Sequence, residues 1–177
     1  MHRLFVALRP PLAVREALSQ TMAGVSGARW QDDGQLHLTL RFIGEVERRQ
    51  AEEVALVLGS IRADALDLAV AGVGAFDSRG RPNALWAGVT PQAPLAHLHR
   101  KIDQALVRIG LEPERRAYLP HVTLARLNAS AGAADGWLAD HAALAGPPFR
   151  IDQFLLYESH LGRAAASYDA IARYPLS

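Results

Sequence analysis

Apolar positions along the chain follow two spacings, and each spacing predicts one kind of element. Alternating or short continuous apolar runs predict strands, and apolar residues three or four positions apart predict amphipathic helices. Helices are expected to begin after Pro10, near Val46, after Pro91 and near Trp137. The predicted strands cover residues 4–8, 29–30, 36–42, 66–70, 84–89 and 118–127, with two more near 151–159 and 167–174.

The order of these elements predicts an α+β fold made of two similar halves. Each half interleaves strands with helices, and each contains one strand of the form His-x-Thr-Leu. No Gly/Ser linker separates the halves, so we expect one domain over residues 1–177, in which two intertwined lobes are related by a pseudo-twofold axis. Short turns between strands favour antiparallel sheets with helices on the outer faces and a central cleft. A doubly wound parallel sheet is the alternative.

Turn-forming residues set two of the expected boundaries. Gly44 is expected to end the strand of residues 36–42, with a helix over residues 46–61 after it. Residues 74–83, GAFDSRGRPN, are rich in glycine and charged residues and predict a flexible basic loop.

Composition narrows the classes of function. The 177 residues are 50% hydrophobic and 21% charged, as in an ordinary globular protein, and the net charge of +1 excludes a broad basic surface for duplex nucleic acid. The absence of cysteine excludes disulfides, thiolate nucleophiles and cysteine-based zinc sites. No apolar run reaches the length of a membrane span or of a signal-peptide core, so we expect a cytoplasmic protein without membrane contact.

The most specific feature is a repeated pair of histidine and threonine. Only four threonines occur in the chain, and two of them, Thr39 and Thr123, lie two positions after a histidine, His37 or His121. In a strand this spacing puts both side chains on one face, while the intervening apolar residues face the core. If the two halves face each other, two imidazoles and two hydroxyls line one cleft.

This set of groups suits phosphoryl chemistry without a metal. Two imidazoles can divide general acid and general base work near neutral pH, and hydroxyls can donate hydrogen bonds to phosphate oxygens. For a cyclic phosphodiester, one imidazole would deprotonate water and the other would protonate the departing ribose oxygen. A single His-x-Thr pair is most often a surface feature or a satisfied core group, and the matched second copy is what favours function.

With these motifs, the chain resembles the bacterial RNA 2′,3′-cyclic phosphodiesterases of the 2H phosphoesterase superfamily, also called 2′-5′ RNA ligases. The resemblance covers nearly the whole chain, through RLFVALRPP, LHLTLRFIGEV, YLPHVTLARL and the ending LLYESHLGRAAASYDAIARYPL. It implies a bilobal α+β fold with both motifs in a central cleft. It also implies hydrolysis of a 2′,3′-cyclic phosphate at an RNA end to a 2′-phosphomonoester, without a metal or other cofactor, and a secondary 2′-5′ ligation activity.

The resemblance also implies a role for each motif residue. His37 is the general acid, or proton donor, that protonates the 3′ oxygen, and His121 is the general base, or proton acceptor, that activates water. Thr39 and Thr123 hold the phosphate. Because the motifs are nearly symmetric, the choice of acid and base rests on the resemblance alone. The expected partner is an RNA with a 2′,3′-cyclic phosphate end or a cyclic nucleotide, and we expect a monomer.

Other residues are candidates for contact with the substrate. Strand parity places Arg41 on the His37 face, where it contacts phosphate or RNA or else lies at a solvated edge. Parity places Arg126 on the face opposite His121 unless a bulge re-aims it, although Arg126 fits the family pattern. The aromatic side chains that either stack on a base or belong to the core are Phe5, Trp30 and Tyr118.

Two further groups of residues have simpler interpretations. Arg79 and Arg81 in the predicted loop can attract RNA by charge, but a solvated hairpin explains them as well. His97 and His99 lie two positions apart on a helix, so they do not face each other and predict no metal site.

Two functions besides hydrolysis at RNA ends stay open. The same cleft chemistry serves a small cyclic phosphate, such as a nucleotide or nucleotide-sugar derivative. The other function is a binding module that holds a phosphorylated ligand or RNA end without turnover, although arginine serves binding alone better than histidine.

Overall fold

The computed structural model describes all 177 residues as four helices and nine strands. The helices are α1 (Leu12–Ser19), α2 (Arg48–Leu58), α3 (Gln92–Arg108) and α4 (Asp135–Asp140). None of the four combines the length and apolar character that crossing a membrane requires. The strands are β1 (His2–Leu8), β2 (Arg29–Trp30), β3 (Leu38–Val46), β4 (Leu66–Ser78), β5 (Arg81–Thr90), β6 (His121–Arg126), β7 (Phe149–Ile151), β8 (Gln153–Leu161) and β9 (Ala166–Pro175).

All nine strands join one sheet in the order β7-β4-β5-β6-β3-β1-β8-β9, with β2 paired to β6 outside this path. Every pair of neighbouring strands is antiparallel. The predicted α+β class is therefore confirmed, and the parallel alternative is wrong.

The sheet is close to symmetric about the junction of β3 and β6, where Leu38 lies opposite Val122. β1 and β8 follow β3 on one side as β5 and β4 follow β6 on the other. Along the chain, β1, α1 and β3 match β5, α3 and β6. The half of the sheet that contains β3 therefore combines β1, from the start of the chain, with β8 and β9, from its end.

The helices and the sheet enclose one main core of 34 buried residues drawn from both halves. Within it, α2 and α3 pack against each other and against β1 and β3. A smaller buried cluster lies on the other face of β1 and β8 and consists of Phe5, Ala7, Leu155 and Tyr157. The main core stabilises the sheet, and the smaller cluster forms a floor beneath the first motif.

The boundary predicted at Gly44 is wrong. Gly44 adopts a φ of 90° beside an irregularity in the β1–β3 register, and β3 resumes beyond it as far as Val46. α2 accordingly begins later than predicted and is shorter than residues 46–61.

The loop predicted over residues 74–83 is also wrong. β4 and β5 extend through most of it, and only Arg79 and Gly80 form the turn between them. Both have positive φ, 53° and 76°, which is the two-residue hairpin geometry whose twist matches that of the strands. Composition alone indicated a loop because glycine and charged residues are as common around a tight hairpin turn as in a long loop.

We expect Gly88→Ala to destabilise the junction between β5 and its neighbours. A Cβ at Gly88 would lie 2.4 Å from the carbonyl oxygen of Ala71 on β4, so the backbone must shift, at a cost of about 1–3 kcal/mol in the free energy of unfolding. Urea denaturation measures this loss. Gly136→Ala in α4 is the control, since a Cβ there meets no atom within 4 Å and alanine favours helix. Equal losses in the two variants would contradict the clash.

Candidate active site

The two motifs meet at the junction of the two halves. His121 begins β6, and His37 directly precedes β3. The pair Leu38–Val122 brings the motifs side by side, and both of its side chains are buried. The residues flanking this pair therefore point to the opposite face of the sheet. One cleft of about 260 Å³ on that face is lined by all four motif side chains.

Each histidine is oriented by a backbone carbonyl two residues before it. His37 Nδ1 lies 2.7 Å from the carbonyl oxygen of Gln35, and His121 Nδ1 lies 2.7 Å from that of Leu119. Because a carbonyl oxygen only accepts hydrogen bonds, Nδ1 carries the proton in both rings and Nε2 is the acceptor in the neutral form. Both halves thus present the same tautomer.

The two Nε2 atoms differ in their surroundings. His37 Nε2 lies 3.0 Å from Thr39 Oγ1, and the neutral ring accepts the hydrogen of this hydroxyl. His121 is hydrogen-bonded only through Nδ1. Its Nε2 is therefore free to accept a proton from a water molecule.

Burial lowers the pKa of both imidazoles. The pKa of His37 falls to about 4, chiefly because burial desolvates the ring; the hydrogen bond to the Gln35 carbonyl opposes this in part, and His121, Arg126 and Arg9 lower the pKa further. The pKa of His121 is also lowered, first by desolvation and then by Arg126. Both rings are neutral at pH 7 unless an anion is bound, because a nearby negative charge raises the pKa of an imidazole.

Aromatic side chains account for much of this desolvation. The ring of His37 lies 4.8 Å from that of Phe5 and 5.2 Å from that of Tyr168. The ring of His121 lies 4.8 Å from that of Phe76, which meets it edge-on. Each imidazole is thereby partly shielded from water.

A β-bulge follows the threonine in each motif. In β3 the extra residue is Leu40, opposite β1, and in β6 it is Leu124, opposite β5. At both places the motif strand advances by two residues while its partner advances by one. A bulge of this kind changes the face on which the following side chains lie.

The expectation that Arg41 shares the face of His37 is wrong because of the first bulge. Arg41 turns toward the helical layer and is 6% exposed. Its Nε donates to Asp103 Oδ1 at 2.8 Å, and its guanidinium also donates to the carbonyls of Phe42 and Glu112. Arg41 is therefore placed as a structural group behind the motif, away from the cleft.

The partner of Arg41 is held in its charged form. Although burial opposes it, the pKa of the Asp103 carboxyl is lowered, because the N–H of Glu114 and the guanidinium of Arg41 stabilise the carboxylate. The matching position in the second half is Ala125, which is buried and needs no partner. The mismatch between Arg41 and Ala125 thus belongs to the core side of the sheet.

The bulges return Arg126 and Phe42 to the cleft. Strand parity alone places Arg126 away from His121 unless a bulge re-aims it; the bulge at Leu124 does so, and Arg126 lines the cleft. Phe42 takes the matching place in the first half, is 42% exposed, and lies 5.5 Å below the guanidinium of Arg3. Sequence reasoning missed Phe42, since LTLRF carries no sign of a bulge.

Tyr118 lies behind the first motif rather than in the cleft. Its hydroxyl donates to the carbonyl of Thr39 at 3.0 Å, and its ring stacks on His99 with centroids 4.3 Å apart. His99 Nδ1 donates to the carbonyl of Leu40 at 2.6 Å. Burial raises the pKa of Tyr118, so its hydroxyl stays a neutral donor. These two side chains satisfy carbonyls of the bulge, and Tyr118 is not placed to stack on a base.

The second bulge is held by main chain instead. The carbonyl of Leu124 accepts a hydrogen bond from the N–H of Gln31, next to β2, at 2.8 Å. His99 takes the corresponding place in the first half, where no strand matches β2. Tyr118 also links the motifs, because the carbonyl of the next residue, Leu119, orients His121.

The remaining sequence candidates lie at the edges of the site. Phe5 lines the cleft but is 4% exposed, so it forms a wall rather than an open stacking surface. Trp30 packs on Trp137 with centroids 5.9 Å apart and borders a second cavity. Arg79 and Arg81 are exposed near the tip of the β4–β5 hairpin and do not line the cleft.

The polar groups of the cleft fit a phosphate diester. The groups that line it include two imidazoles, the hydroxyls of Thr39 and Thr123 and the guanidiniums of Arg3 and Arg126, and no carboxylate lines it. Such donors suit the non-bridging oxygens of a phosphate, and no like charge opposes the anion. No group of three or more histidine, aspartate or glutamate side chains in the structure is arranged to hold a metal ion.

Comparisons with known proteins agree with this chemistry. A family model described as the 2′-5′ RNA ligase superfamily matches residues 10–163. The RNA 2′,3′-cyclic phosphodiesterase of Escherichia coli is 27% identical over 184 aligned positions, which cover 99% of this chain and 97% of that protein. The crystal structure of E. coli LigT in apo form matches with a TM-score of 0.78 at 26% identity, covering 99% of this chain and 98% of that one.

Other relatives match over only part of their own length. The RNA 2′,3′-cyclic phosphodiesterase of Aeropyrum pernix is 39% identical over 97 residues, or 54% of this chain. That of Geobacillus stearothermophilus is 26% identical over 178 residues, or 97% of this chain. The chain spans about half the length of these two relatives, 55% and 56% respectively.

A tetrahedral anion bound between the motifs is expected to raise the pKa of His37 above its value of about 4. The anion favours the imidazolium and opposes the desolvation that lowers this pKa, so we expect a rise of about one unit or more on saturation. Histidine NMR titration with and without sulfate, whose charge is constant over the range, measures it. The resonance of His141, beyond the end of α4, is the internal control. An unchanged titration of His37 in saturating sulfate would contradict the electrostatic account.

Proposed function

The chain belongs to the 2′-5′ RNA ligase superfamily, and from this we propose that it hydrolyses the 2′,3′-cyclic phosphate at an RNA end to a 2′-phosphomonoester. Relatives named RNA 2′,3′-cyclic phosphodiesterase support this reaction. The proposal is carried by one observation: both His-x-Thr pairs line a single cleft that no carboxylate enters.

The reaction needs one proton removed and one supplied. His121 Nε2 accepts a proton from water, and the water oxygen attacks phosphorus. The bond from phosphorus to the 3′ oxygen breaks, and that oxygen takes a proton from His37 Nε2. The product carries a 2′-phosphate and a 3′-hydroxyl, and the enzyme is left with His121 protonated and His37 neutral, the reverse of its starting state. The free Nε2 of His121 supports its role as the base.

The substrate itself supplies the charge that the acid requires. His37 is a poor proton carrier in the unliganded protein, since its pKa is about 4. The diester anion raises this pKa, so binding favours protonation of the residue that must donate. An imidazolium with an intrinsically low pKa is also a strong acid toward an alkoxide leaving group.

The remaining donors hold the non-bridging oxygens in this scheme. Thr39 and Thr123 flank the phosphate from the two halves, and Arg126 balances its charge. When the phosphate accepts the hydroxyl hydrogen of Thr39, His37 Nε2 loses its hydrogen-bond donor and is left free to be protonated. Binding and protonation of the acid are thereby coupled.

Two other functions are compatible with the same cleft. A cyclic mononucleotide or nucleotide-sugar phosphate would use identical chemistry, and a binding module would hold the anion without turnover. We place RNA first because the relatives that match nearly end to end carry RNA in their name. Reverse 2′-5′ ligation, a monomeric state and a cytoplasmic location stay predictions from the sequence.

Loss of either histidine is expected to abolish turnover. We expect His37→Ala and His121→Ala each to lower kcat for a 2′,3′-cyclic nucleotide by about 10²–10⁴-fold, in the presence of a metal chelator, with folding retained. His97→Ala, exposed on α3, is the matched control and should keep wild-type kcat. Phosphorus NMR of the product should show the 2′-monoester. Wild-type turnover in either active-site variant would rule the proposal out.

A second substrate separates the acid from the base. Bis(para-nitrophenyl) phosphate releases a phenolate that departs without a proton, so it needs the base but not the acid. The loss caused by His37→Ala should therefore be much smaller on this diester than on the cyclic nucleotide, while the loss from His121→Ala should persist. The reverse pattern would exchange the two roles.

Tyr118→Phe is expected to lower kcat without a matching change in KM. The substitution keeps the ring on His99 and removes only the bond to the carbonyl of Thr39, so we expect kcat to fall about two- to tenfold. Tyr174→Phe is the matched control, because it removes one hydroxyl bond, to the carbonyl of Ala55, far from the cleft. Steady-state kinetics and thermal denaturation of both variants test this. Equal effects on kcat would mean that Tyr118 acts through stability alone.

A further inference from the structure

A second cavity of about 330 Å³ opens directly from the catalytic cleft. It lies between β2 and the turn that joins β8 to β9. Four residues line both spaces, so the two form one continuous groove, and these are Gln31, Arg126, Ala166 and Tyr168. A chain that leaves the cleft in this direction remains in contact with the protein.

Two arginines meet in this cavity, and neither is in an ion pair. Arg29 on β2 lies directly opposite Arg126 on β6 in the antiparallel register, so both side chains point to the same face. Neither has a carboxylate within ion-pair distance, although eight other arginines of the chain do. Like charges directly opposite each other in a sheet destabilise it, and an anion between them would remove the repulsion.

Most donors of the two guanidiniums are not engaged within the protein. Arg29 donates through Nη2 to the carbonyl of Ala164 in the β8–β9 turn, which fixes one edge of its planar group. The guanidinium of Arg126 forms no hydrogen bond within the protein. The one carboxylate that lines the cavity, Asp32, accepts the N–H of Gln35 at 3.0 Å as a helix cap. Asp32 is therefore engaged locally rather than with the arginines.

We propose that Arg29 and Arg126 form a second phosphate subsite, which binds the 5′-phosphate of the nucleotide whose 2′,3′-cyclic phosphate is cleaved. The inference rests on the proposed function, because it takes the catalytic cleft as the site of the cyclic phosphate. One ribose separates the two phosphates of such a nucleotide, and Arg126 lines both spaces, so it lies between the two anions. Arginine suits this task because its fork of N–H donors matches a phosphate.

The subsite gives the protein a means to prefer RNA ends over free cyclic nucleotides. The 3′-terminal nucleotide of an RNA strand carries a 5′-phosphodiester, whereas a free nucleoside 2′,3′-cyclic phosphate lacks one. The preference comes from the sugar-phosphate backbone, so it is independent of base sequence. It should also weaken at high salt, since the arginines are exposed to solvent.

The test compares three substrates that differ only on the 5′ side. They are a nucleoside 2′,3′-cyclic phosphate, the same compound with a 5′-phosphate, and a dinucleotide with the same cyclic end. We expect the 5′-phosphate and the dinucleotide each to raise kcat/KM about five- to tenfold at low salt, mainly through KM. Arg29→Gln should remove this gain and leave kcat/KM for the plain cyclic nucleotide unchanged. Arg48→Gln, an exposed arginine on α2 with the same change of charge, should keep the gain.

The outcomes separate this inference from the function on which it rests. Hydrolysis of all three substrates at equal kcat/KM would overturn the subsite and leave the proposed function intact. A loss in Arg29→Gln that is equal on all three substrates would also overturn it, because Arg29 would then act on the fold or on the catalytic cleft. If the wild-type protein hydrolyses none of them, the proposed function fails and the subsite fails with it.

Discussion

The arrangement of the cleft depends on one backbone contact, the antiparallel pairing of Leu38 with Val122. This pair is the only register point between β3 and β6, and it joins the two halves of the sheet at the middle residue of each motif. Continuing the antiparallel register places the histidine of each motif beside the threonine of the other. Because side chains alternate along a strand, a slip of one residue would turn the histidine and threonine of the slipped motif toward the core. The burial of Leu38 and Val122 holds the register that makes the cleft.

The two bulges decide what surrounds these four side chains. Each follows the motif threonine. At each bulge the side chains of two consecutive residues are buried on the core side, and the side chain after them lines the cleft. The halves then use the returned position differently, with Phe42 in one and Arg126 in the other. They also support the bulge differently, through side chains of α3 and its following segment in the first half and through main chain beside β2 in the second. A nearly symmetric backbone thus carries an asymmetric site, as a reaction with one acid and one base requires.

Charge in the site is balanced only when an anion is present. Aromatic walls and neighbouring cations lower the pKa of both imidazoles, and no carboxylate lines the cleft to offset Arg126. Elsewhere the protein pairs its buried cation, since Arg41 bonds to Asp103. Arg29 and Arg126 along the groove have no such partner, and a bound polyanion would supply their counter-charge.

The sequence by itself determined the α+β class, the interleaving of strands and helices, and the identity of the paired motif. These are local properties, since apolar period and the spacing of histidine and threonine are read within a few residues. It misplaced Arg41, missed Phe42, and left open whether Arg126 reaches the cleft and whether Tyr118 stacks on a base or belongs to the core. These outcomes share a cause. A bulge arises where one strand advances by two residues while its partner advances by one, and the partners of β3 and β6 are distant in sequence. The tertiary structure therefore decided which side chains beyond the motif reach the substrate, because only strand pairing fixes the face on which each one lies.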